Sequence, residues 1–474
     1  MSLVGDLREM KCGDVGADDA MLDAYSHDAS IFSVRPEVVV APHTVADIKK
    51  IVNYASDHAG VSITPRAAGT DMSGGAIGPS IVLDLLSHLN KLIDITRGGE
   101  FGGTATVQPG MFYRDFEQAT LARGLQFPAF PASRDVCAMG GIVGNNAAGE
   151  RTLTFGQTVD WIRSVKMVCA NGNEYEFGPM SRAEVDAKAA HQTFEGSLYR
   201  GVRDLIAANH DLIEQHRPQV SKNSSGYYLW KLWKDDEFNM ARLIVGSQGT
   251  LGVITEATLG LVKPAPERRT VVVFLNSLDR VAQVTNQLLH YQPESLESFD
   301  DKTLSFTLRF LPDFIRILGA SNIVSLAWQF LPEAFMVLTG GLPKLVLLAE
   351  FAGEDAEDVA HRAQRALDVM RLSGLKARLT RNVQESHKYW TIRRQSFNVI
   401  RSHAKGKRTT PFVDDIIVRP EDMPEFLPKL YAILDPYELT LTVAGHVGNG
   451  NFHIIPLMDL ADERNRRIIP EIAA

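Results

Sequence analysis

Apolar residues recur at helical spacing through Asp47–Ala59 (DIKKIVNYASDHA), and Thr44 stands where an N-cap would, so the pattern predicts a helix there. Val61–Pro65 and Ile81–Leu85 are short β-branched runs that predict strands. The stretch between them, RAAGTDMSGGAIGPS, carries too much glycine for either regular state. Thr104–Pro109 predicts a further strand, and Tyr113–Arg123 a helix closed by Gly124. Ser164–Cys169 and Glu174–Phe177 flank Asn171–Gly172, the signature of a hairpin. Leu198–Gln215 is amphipathic at helical period. Ala241–Val262 alternates like a strand and runs into Pro264 and Pro266, a boundary signal.

Beyond those prolines the pattern restarts. Arg269–Leu275 (RTVVVFL) reads as a buried strand and Leu278–His290 as a helix. Leu345–Phe351, Val413–Val418, Thr440–His446 and Phe452–Met458 read as strands, with Asp355–Leu372 as a helix among them. Strands separated by grouped helices place the chain in the α+β class. The divisions expected are a helical lead over 1–36, a first domain over 37–264 and a second over 265–474.

Composition narrows the classes. The 474 residues are 45% hydrophobic and 22% charged, ordinary globular usage for two or three domains. A net charge of -8 leaves no bulk footprint for nucleic acid. The three cysteines, Cys12, Cys137 and Cys169, form no C-x-x-C pair, which disfavours a disulfide framework and iron–sulfur clusters. The amino terminus lacks the apolar run of a secretory signal. The most apolar region, Phe310–Ala349, is broken by Arg316, Glu333, Lys344 and three prolines, short of the roughly 18 uninterrupted residues of a span. The expectation is a cytoplasmic protein, with peripheral contact to the inner membrane face through that region left open.

Five segments carry candidate chemistry. Pro65–Gly75 (PRAAGTDMSGG) is either a glycine-rich connector or a nest of backbone amides for a pyrophosphate. It matches neither G-x-G-x-x-G nor a P-loop. Phe130–Gly149 (FPASRDVCAMGGIVGNNAAG) and Gly246–Thr255 (GSQGTLGVIT) are rich in small residues, as close backbone approach to a planar or phosphorylated ligand requires, or as tight loop packing does. Cys137 lacks a basic neighbour and reads as packed rather than nucleophilic. His446–His453 (HVGNGNFH) sets two imidazoles around a Gly/Asn loop, a structural pair or a metal site. Tyr389–Arg394 (YWTIRR) offers Arg393 as a fork for a carboxylate, or as a surface arginine. The cluster His403, Lys405, Lys407 and Arg408 offers a further anion contact or a solvated loop.

In this order, PRAAGTDMSGG, FPASRDVCAMGGIVGNNAAG with FGQTVDWI, and GSQGTLGVITEATL resemble the FAD-binding oxidoreductases of the vanillyl-alcohol-oxidase/p-cresol-methylhydroxylase type, most nearly the branch of D-lactate dehydrogenases and glycolate oxidase FAD subunits. The resemblance runs over about Pro36–Asp459. It implies a two-subdomain FAD-binding domain followed by an α/β cap domain with a central antiparallel sheet. It implies FAD pyrophosphate contacts at Arg66, Ala67, Ala68, Gly69, Thr70, Asp71, Ser73, Gly74 and Gly75. It implies flavin and adenosine contacts at Pro131, Ser133, Gly140, Gly141, Asn145, Gly149, Gly246, Gly249, Thr250, Gly252 and Ile254. The first loop has no histidine, so the FAD is expected to be non-covalent.

The resemblance also implies the reaction, oxidation of a D-2-hydroxy acid (D-lactate or glycolate-like) to the 2-oxo acid with hydride transfer to flavin. Catalytic residues would be Arg393, in a Trp-x-x-Arg setting with Trp390, holding the carboxylate, and His446 and His453 on a divalent metal (zinc, iron or manganese). Asp414 or Asp415 would support them. The family motif reads H-x-G-D-G-N-x-H, and Asn449 replaces its aspartate. A further metal ligand and a general base belong to a Gly-Glu-His segment that does not follow before Ala474, so an incomplete C-terminal domain is expected, through truncation, a split gene or loss of part of the site. Electrons would pass to a separate acceptor: a quinone, a cytochrome, an electron-transfer flavoprotein or an iron–sulfur subunit. Two alternatives stand beside this reading. One is a non-catalytic or split FAD-binding subunit completed by another chain. The other is a same-fold flavoenzyme, such as an ether-lipid synthase or an alcohol oxidase, with a different substrate.

Overall fold

The structure is a computed structural model, and it describes residues 2–309, 341–403, 407–439 and 441–474. It divides into two compact units. The first holds Met1–Gly149, Phe155–Gln219 and Asn223–Pro264, and the second holds Glu150–Thr154, Val220–Lys222 and Ala265–Ala474. The predicted break near Pro264 is where the chain passes from one to the other. Two short segments upstream of it nevertheless fold with the second unit, held there by ion pairs: Arg151 Nε lies 3.1 Å from Glu294 Oε1, and Lys222 Nζ 2.9 Å from Asp415 Oδ1.

The first unit opens with the lead. It is helical at α1 (Leu3–Glu9) and α2 (Asp19–Tyr25), but between them β1 (Asp14–Gly16) pairs antiparallel with β2 (Val38–Ala41). The lead is thus part of the sheet, a role too short to register as a strand pattern. With β3 (Ile63–Arg66) and β4 (Ile81–Asp84), both parallel to the sheet's centre, the order is β1-β2-β4-β3. Val38, Val40, Ile81 and Leu83 pack on one face with Ile48 and Ile51 of α3 (Val45–Asp57), while Val39 and Val82 pack on the other with Leu22. Burial on both faces explains why these strands read as continuous apolar runs. Thr44 caps α3 as predicted, in a reciprocal pair with Asp47.

A second sheet in this unit is antiparallel, with order β5-β6-β12-β7-β8. Its strands are β5 (Leu92–Arg97), β6 (Gly103–Val107), β7 (Ile162–Val168), β8 (Glu174–Phe177) and β12 (Val253–Leu261). A small sheet adds β9 (Pro179–Ser181), β10 (Trp233–Lys234) and β11 (Glu237–Asn239). Alternation along β6 buries Ala105 and Val107 against Tyr113 and Phe116 of the helix Tyr113–Leu121. The stretch predicted as one strand, Ala241–Val262, is a short helix (Ala241–Ile244), a glycine turn and then β12. The predicted helix Leu198–Gln215 breaks at Asn209.

The second unit is built on one antiparallel sheet, order β16-β13-β15-β14-β19-β20-β17, with β18 also on β20. The strands are β13 (Glu267–Leu275), β14 (Ser295–Asp300), β15 (Leu345–Gly353), β16 (Lys376–Leu379), β17 (Arg408–Thr409), β18 (Val413–Ile417), β19 (Leu441–Gly445) and β20 (Asn451–Met458). One face packs Val271, Val273, Leu296, Leu347 and Ala349 against helices Val281–Leu289, Ala356–Leu372 and Met423–Leu434. The other packs Val272, Phe274, Phe299, Val346 and Leu348 against Tyr389, Trp390 and Ile392 of helix Val383–His403. This is the predicted α+β architecture with a central antiparallel sheet. Most of the apolar region Phe310–Ala349 lies outside the described residues, as do Lys405 and the side chains of His403, Arg408 and Asp414. Among the described residues no helix is long and apolar enough to cross a membrane.

Candidate functional site

In the first unit the three small-residue segments, far apart in sequence, converge. The amide of Gly246 donates to Val143 O at 3.0 Å, and that of Gln248 to Gly144 O at 2.9 Å, which joins the third segment to the second. Asn145 Nδ2 donates to Asp71 Oδ1 at 3.2 Å, which joins the second to the first. A Cβ on Gly75 would meet Gln248 Oε1 at 2.6 Å, and one on Gly249 would meet Pro65 Cγ at 2.8 Å. At Gly249, with φ +75° and a proline ring in the way, the close approach demands glycine, whereas at Gly75 the obstacle is the movable end of the Gln248 side chain.

Other positions sort differently. Gly149 and Gly252 also answer internal packing, since a Cβ there would lie 2.0 Å from Phe130 O and 2.6 Å from Val168 O. Gly140 does the same against Pro109. At Gly141, and at its helix neighbour Gly144, a Cβ would meet nothing within 4 Å. That bare face meets no packing need of the protein and suits a bound planar group. The two glycines lie on a helix, Met139–Asn145, that was not expected in so glycine-rich a segment. Ile254 is buried in the core. Thr250 bonds Ser247 O at 2.6 Å and Tyr227 at 2.7 Å. Ser133 O accepts the Val136 amide at 2.9 Å in the turn that follows Pro131. Cys137 is buried, and burial pushes its thiol up to about 12, in keeping with a packed residue.

The loop after β3 is organised from within. Asp71 Oδ2 accepts from the Ser73 amide at 2.9 Å, the Ser73 hydroxyl at 2.9 Å and the Gly75 amide at 2.7 Å. Two amides of the expected nest thus already hold the chain's own carboxylate. Arg66 sends its guanidinium over the Tyr25 ring, 5.0 Å from the centroid, and donates to Ala76 O at 3.2 Å. Ala67, Ala68, Gly69, Thr70 and Gly74 complete a half-buried loop.

In the second unit the predicted imidazoles meet a group that sequence reasoning missed. The pairing Ser298↔Gly445 sets Glu297 of β14 beside His446, which follows β19. His446 Nδ1 and Glu297 Oε1 are 2.6 Å apart, and Arg393 Nη2 is 3.1 Å from Glu297 Oε2. Alternation along β14 turns Glu297 to the same face as Phe299, toward helix Val383–His403, which carries Arg393. Glu297 is 1% exposed. Burial pushes its carboxyl up to about 8, against the pull of Arg393 and with Glu150 adding to the rise. Burial also holds the His446 imidazole well below its usual value, reinforced by His453, Lys222 and Arg393. Both partners favour neutral forms and share one short hydrogen bond, a path for a proton between Nδ1 and Oε1.

His453 lies on β20 opposite Ala444 on one side and Asp415 on the other. Its ring is edge-on to His446, centroids 5.4 Å apart, and its Nδ1 is 3.9 Å from Asp415 Oδ1. Burial raises the Asp415 carboxyl, but Lys222, His453 and an Asn451 hydrogen bond overcome that and hold it well below the usual range. Lys222 Nζ reaches both Asp415 oxygens, at 2.9 and 3.0 Å, and Asn451 Oδ1 at 3.1 Å. Asn449 donates to Ser221 Oγ at 2.9 Å. Arg394 is tied by its Nε to Glu150 at 2.9 Å and by its Nη2 to the other carboxylate oxygen.

Two imidazoles with an orienting carboxylate on one Nδ1 fit part of a metal centre. Among the described residues no third His, Cys, Asp or Glu closes on this pair within reach of one ion. Arg393, His446, Glu297 and Glu150 are drawn from four separate segments, and only the first two carried a readable motif.

Comparison with known proteins bears on both units. The FAD binding domain model matches residues 36–178, and the model for FAD linked oxidases, C-terminal domain, matches 265–474. D-2-hydroxyglutarate dehydrogenase of Escherichia coli (strain K12) is 26% identical over 97% of this chain and 45% of its own length. Glycolate oxidase subunit GlcD of Bacillus subtilis (strain 168) is 26% identical over 90% of this chain and 75% of its own. The chain thus spans about half the length of the first of these relatives. Among solved structures, alkyldihydroxyacetonephosphate synthase superposes with a TM-score of 0.69 at 14% identity, covering 100% of this chain and 79% of that one, a likeness of fold. With an FAD binding domain in front and the C-terminal domain of the FAD linked oxidases behind, the chain belongs to the FAD-linked oxidoreductases.

Proposed function

We propose that the protein oxidises a D-2-hydroxy acid to the 2-oxo acid, with FAD as the immediate acceptor. The relatives' names supply the candidate substrates, D-2-hydroxyglutarate and glycolate, and the resemblance noted above adds D-lactate. The observation that carries the reading is the buried Glu297–His446–Arg393 cluster, which joins an acid, an imidazole and a guanidinium in a dry setting. Arg393 binds the carboxylate of the substrate, for which a planar fork of donors is suited. The neutral imidazole of His446, set by Glu297, receives the hydroxyl proton. Bound FAD supplies the two-electron acceptance of the Cα hydride.

In the alternative arrangement His446 and His453 would hold a divalent ion (zinc, iron or manganese), whose contribution would be to lower the hydroxyl pKa; His446 would then be a ligand and the proton would pass to another group. The cofactor is held without a covalent bond, since Arg66–Gly75 contains no histidine. Arg66, Gly69 and Thr70 stand at the pyrophosphate, and the bare face at Gly141 stands against the rings. The reduced flavin is reoxidised by a separate acceptor, a quinone, a cytochrome, an electron-transfer flavoprotein or an iron–sulfur subunit. The protein is placed in the cytoplasm, with peripheral contact to the inner membrane face as the alternative.

The test is the visible spectrum of the purified, FAD-loaded protein, taken anaerobically with D-lactate, glycolate and D-2-hydroxyglutarate in turn. Bleaching by one of them supports the reading. A flavin spectrum unmoved by all three, with dithionite still bleaching it, sinks the substrate class and points to a site completed by another chain.

A further inference from the structure

Both clusters described so far leave aside the carboxyl end of the first sheet. β2 and β4 are parallel neighbours, so their ends emerge side by side. β1 runs against β2 with Asp14 opposite Ala41, so it starts where β2 stops. Asp14 opens β1, His43 follows the end of β2, and His88 follows the end of β4. Three segments thereby deliver two imidazoles and a carboxylate to one spot.

Their geometry is convergent. His88 Nε2 lies 2.8 Å from Asp14 Oδ2, and His43 Nε2 lies 3.1 Å from Asp14 Oδ1. The two rings meet edge-on with centroids 4.5 Å apart. One ligand atom from each residue falls within 4.8 Å of the other two, and no other trio of His, Cys, Asp or Glu does so among the described residues. Gly13 makes the approach possible: its φ is +124°, and a Cβ there would lie 2.3 Å from Ala41 O, so only glycine lets β1 press Asp14 against the end of β2.

We propose that Asp14, His43 and His88 form a zinc site that bridges β1 to β2 and β4. Zinc takes imidazole nitrogen and carboxylate oxygen at roughly 2.0–2.2 Å in tetrahedral sites, which places neighbouring ligand atoms ~3.3 Å apart. The two imidazoles now face different oxygens of Asp14, at 2.8 and 3.1 Å, and with one atom from each residue the set lies within 4.8 Å, so side-chain rotation must bring the three to that spacing. The side chains that must move are 37–67% exposed and can do so. A single carboxylate with two nitrogens disfavours calcium and magnesium, which prefer oxygen cages. The remaining coordination position faces solvent, so the ion exchanges rather than being locked in.

The test uses the FAD-loaded full chain, stripped with EDTA and dialysed. Zinc chloride is titrated by calorimetry into the wild type and into the double variant His43→Gln/His88→Gln. The expected result is one equivalent fewer in the variant, with unchanged flavin content and circular dichroism. Equal stoichiometry in the two proteins overturns the proposal, because any zinc held at His446 and His453 is common to both. Where the double variant does not fold, the wild type decides alone. Diethyl pyrocarbonate modification of His43 and His88, read by peptide mass spectrometry, must slow at least tenfold with zinc present, and an unchanged rate overturns the site.

Discussion

The two candidate regions achieve close contact with a ligand by opposite means. In the first unit the small-residue segments work by what they lack. At Gly141 no side chain is needed for packing, and at Gly249 none could be tolerated. In the second unit the cluster works by what it buries. Glu297, His446 and Arg393 are charged or titratable groups removed from water, with Glu297 set between the other two. Omission is inexpensive and local, whereas burial of charge is costly and needs every partner in place. Substitutions should therefore act on binding in the first region and on stability and chemistry together in the second.

The largest effect expected is at Arg393. Arg393→Met removes the cation facing a carboxylate that has almost no contact with water, and breaking such a buried pair costs about 3 kcal/mol. The carboxyl of Glu297, already raised by burial, then rises further, which fixes its protonated form beside His446. Urea melts should show the loss of stability, and substrate-driven flavin bleaching should fall by at least about 100-fold while FAD content per folded chain is unchanged. Unaltered bleaching kinetics would remove Arg393 from the site. A smaller effect follows at Lys222. Lys222→Met strips Asp415 of its cation, but that carboxylate is 41% exposed, so solvent screens the deficit and the cost falls to roughly 1 kcal/mol. A cost as large as that at Arg393 would erase the distinction between a buried and a wetted ion pair in this cluster.

How legible each region was in the sequence follows the same division. Glycine segments announce themselves because their composition is contiguous, and FPASRDVCAMGGIVGNNAAG could be marked without knowing its fold. Its helix Met139–Asn145 could not be seen, because three of its seven residues are glycine and propensity spoke against it. Asp71 was assigned to a phosphate contact along with its neighbours, although its spacing to Ser73 and Gly75 lets it bond their amides itself. In the second unit the histidine pair and Arg393 had motifs, but Glu297 is one acid in a six-residue strand. Only the pairing of β14 with β19 reveals its partner 149 residues away. Glu150 and Lys222 lie in segments whose surroundings resemble the first unit, and their ion pairs to Arg394 and Asp415 are what assign them to the second. Local pattern carried the elements, and long-range pairing carried the charges.

A sharper cut is Gly141→Ala. The added Cβ meets nothing in the protein, and alanine in place of glycine within a helix adds roughly 0.5–1 kcal/mol to stability. The same Cβ would intrude on a flavin laid against that face. The expected outcome is an apo-protein that melts at or above the wild-type temperature but binds FAD at least about tenfold more weakly, a loss of ~1.4 kcal/mol. Wild-type FAD affinity would mean the bare face is not where the cofactor lies.

The smallest effect tests whether the first unit truly separates binding from stability. Thr44 and Asp47 cap α3 reciprocally: the Asp47 amide donates to Thr44 Oγ1 at 3.3 Å, and Asp47 Oδ2 accepts the Thr44 amide at 3.0 Å. Burial raises the Asp47 carboxyl, but the hydrogen bonds from Thr44 and Lys50 outweigh it and leave the group below its usual value. A carboxyl depressed in the folded state adds stability that is fully present above its unfolded pKa, about 3.9, and is lost as pH falls through the lower folded value. Thr44→Ala removes part of that depression along with the cap, and should cost about 1 kcal/mol at neutral pH. The gap between variant and wild type should narrow as the pH is taken below about 4, while FAD affinity at neutral pH stays within twofold. A gap that is the same at pH 3 and pH 7 would mean that Asp47 takes no part in the cap, and a fall in FAD affinity would mean that α3 and the glycine loops are coupled after all.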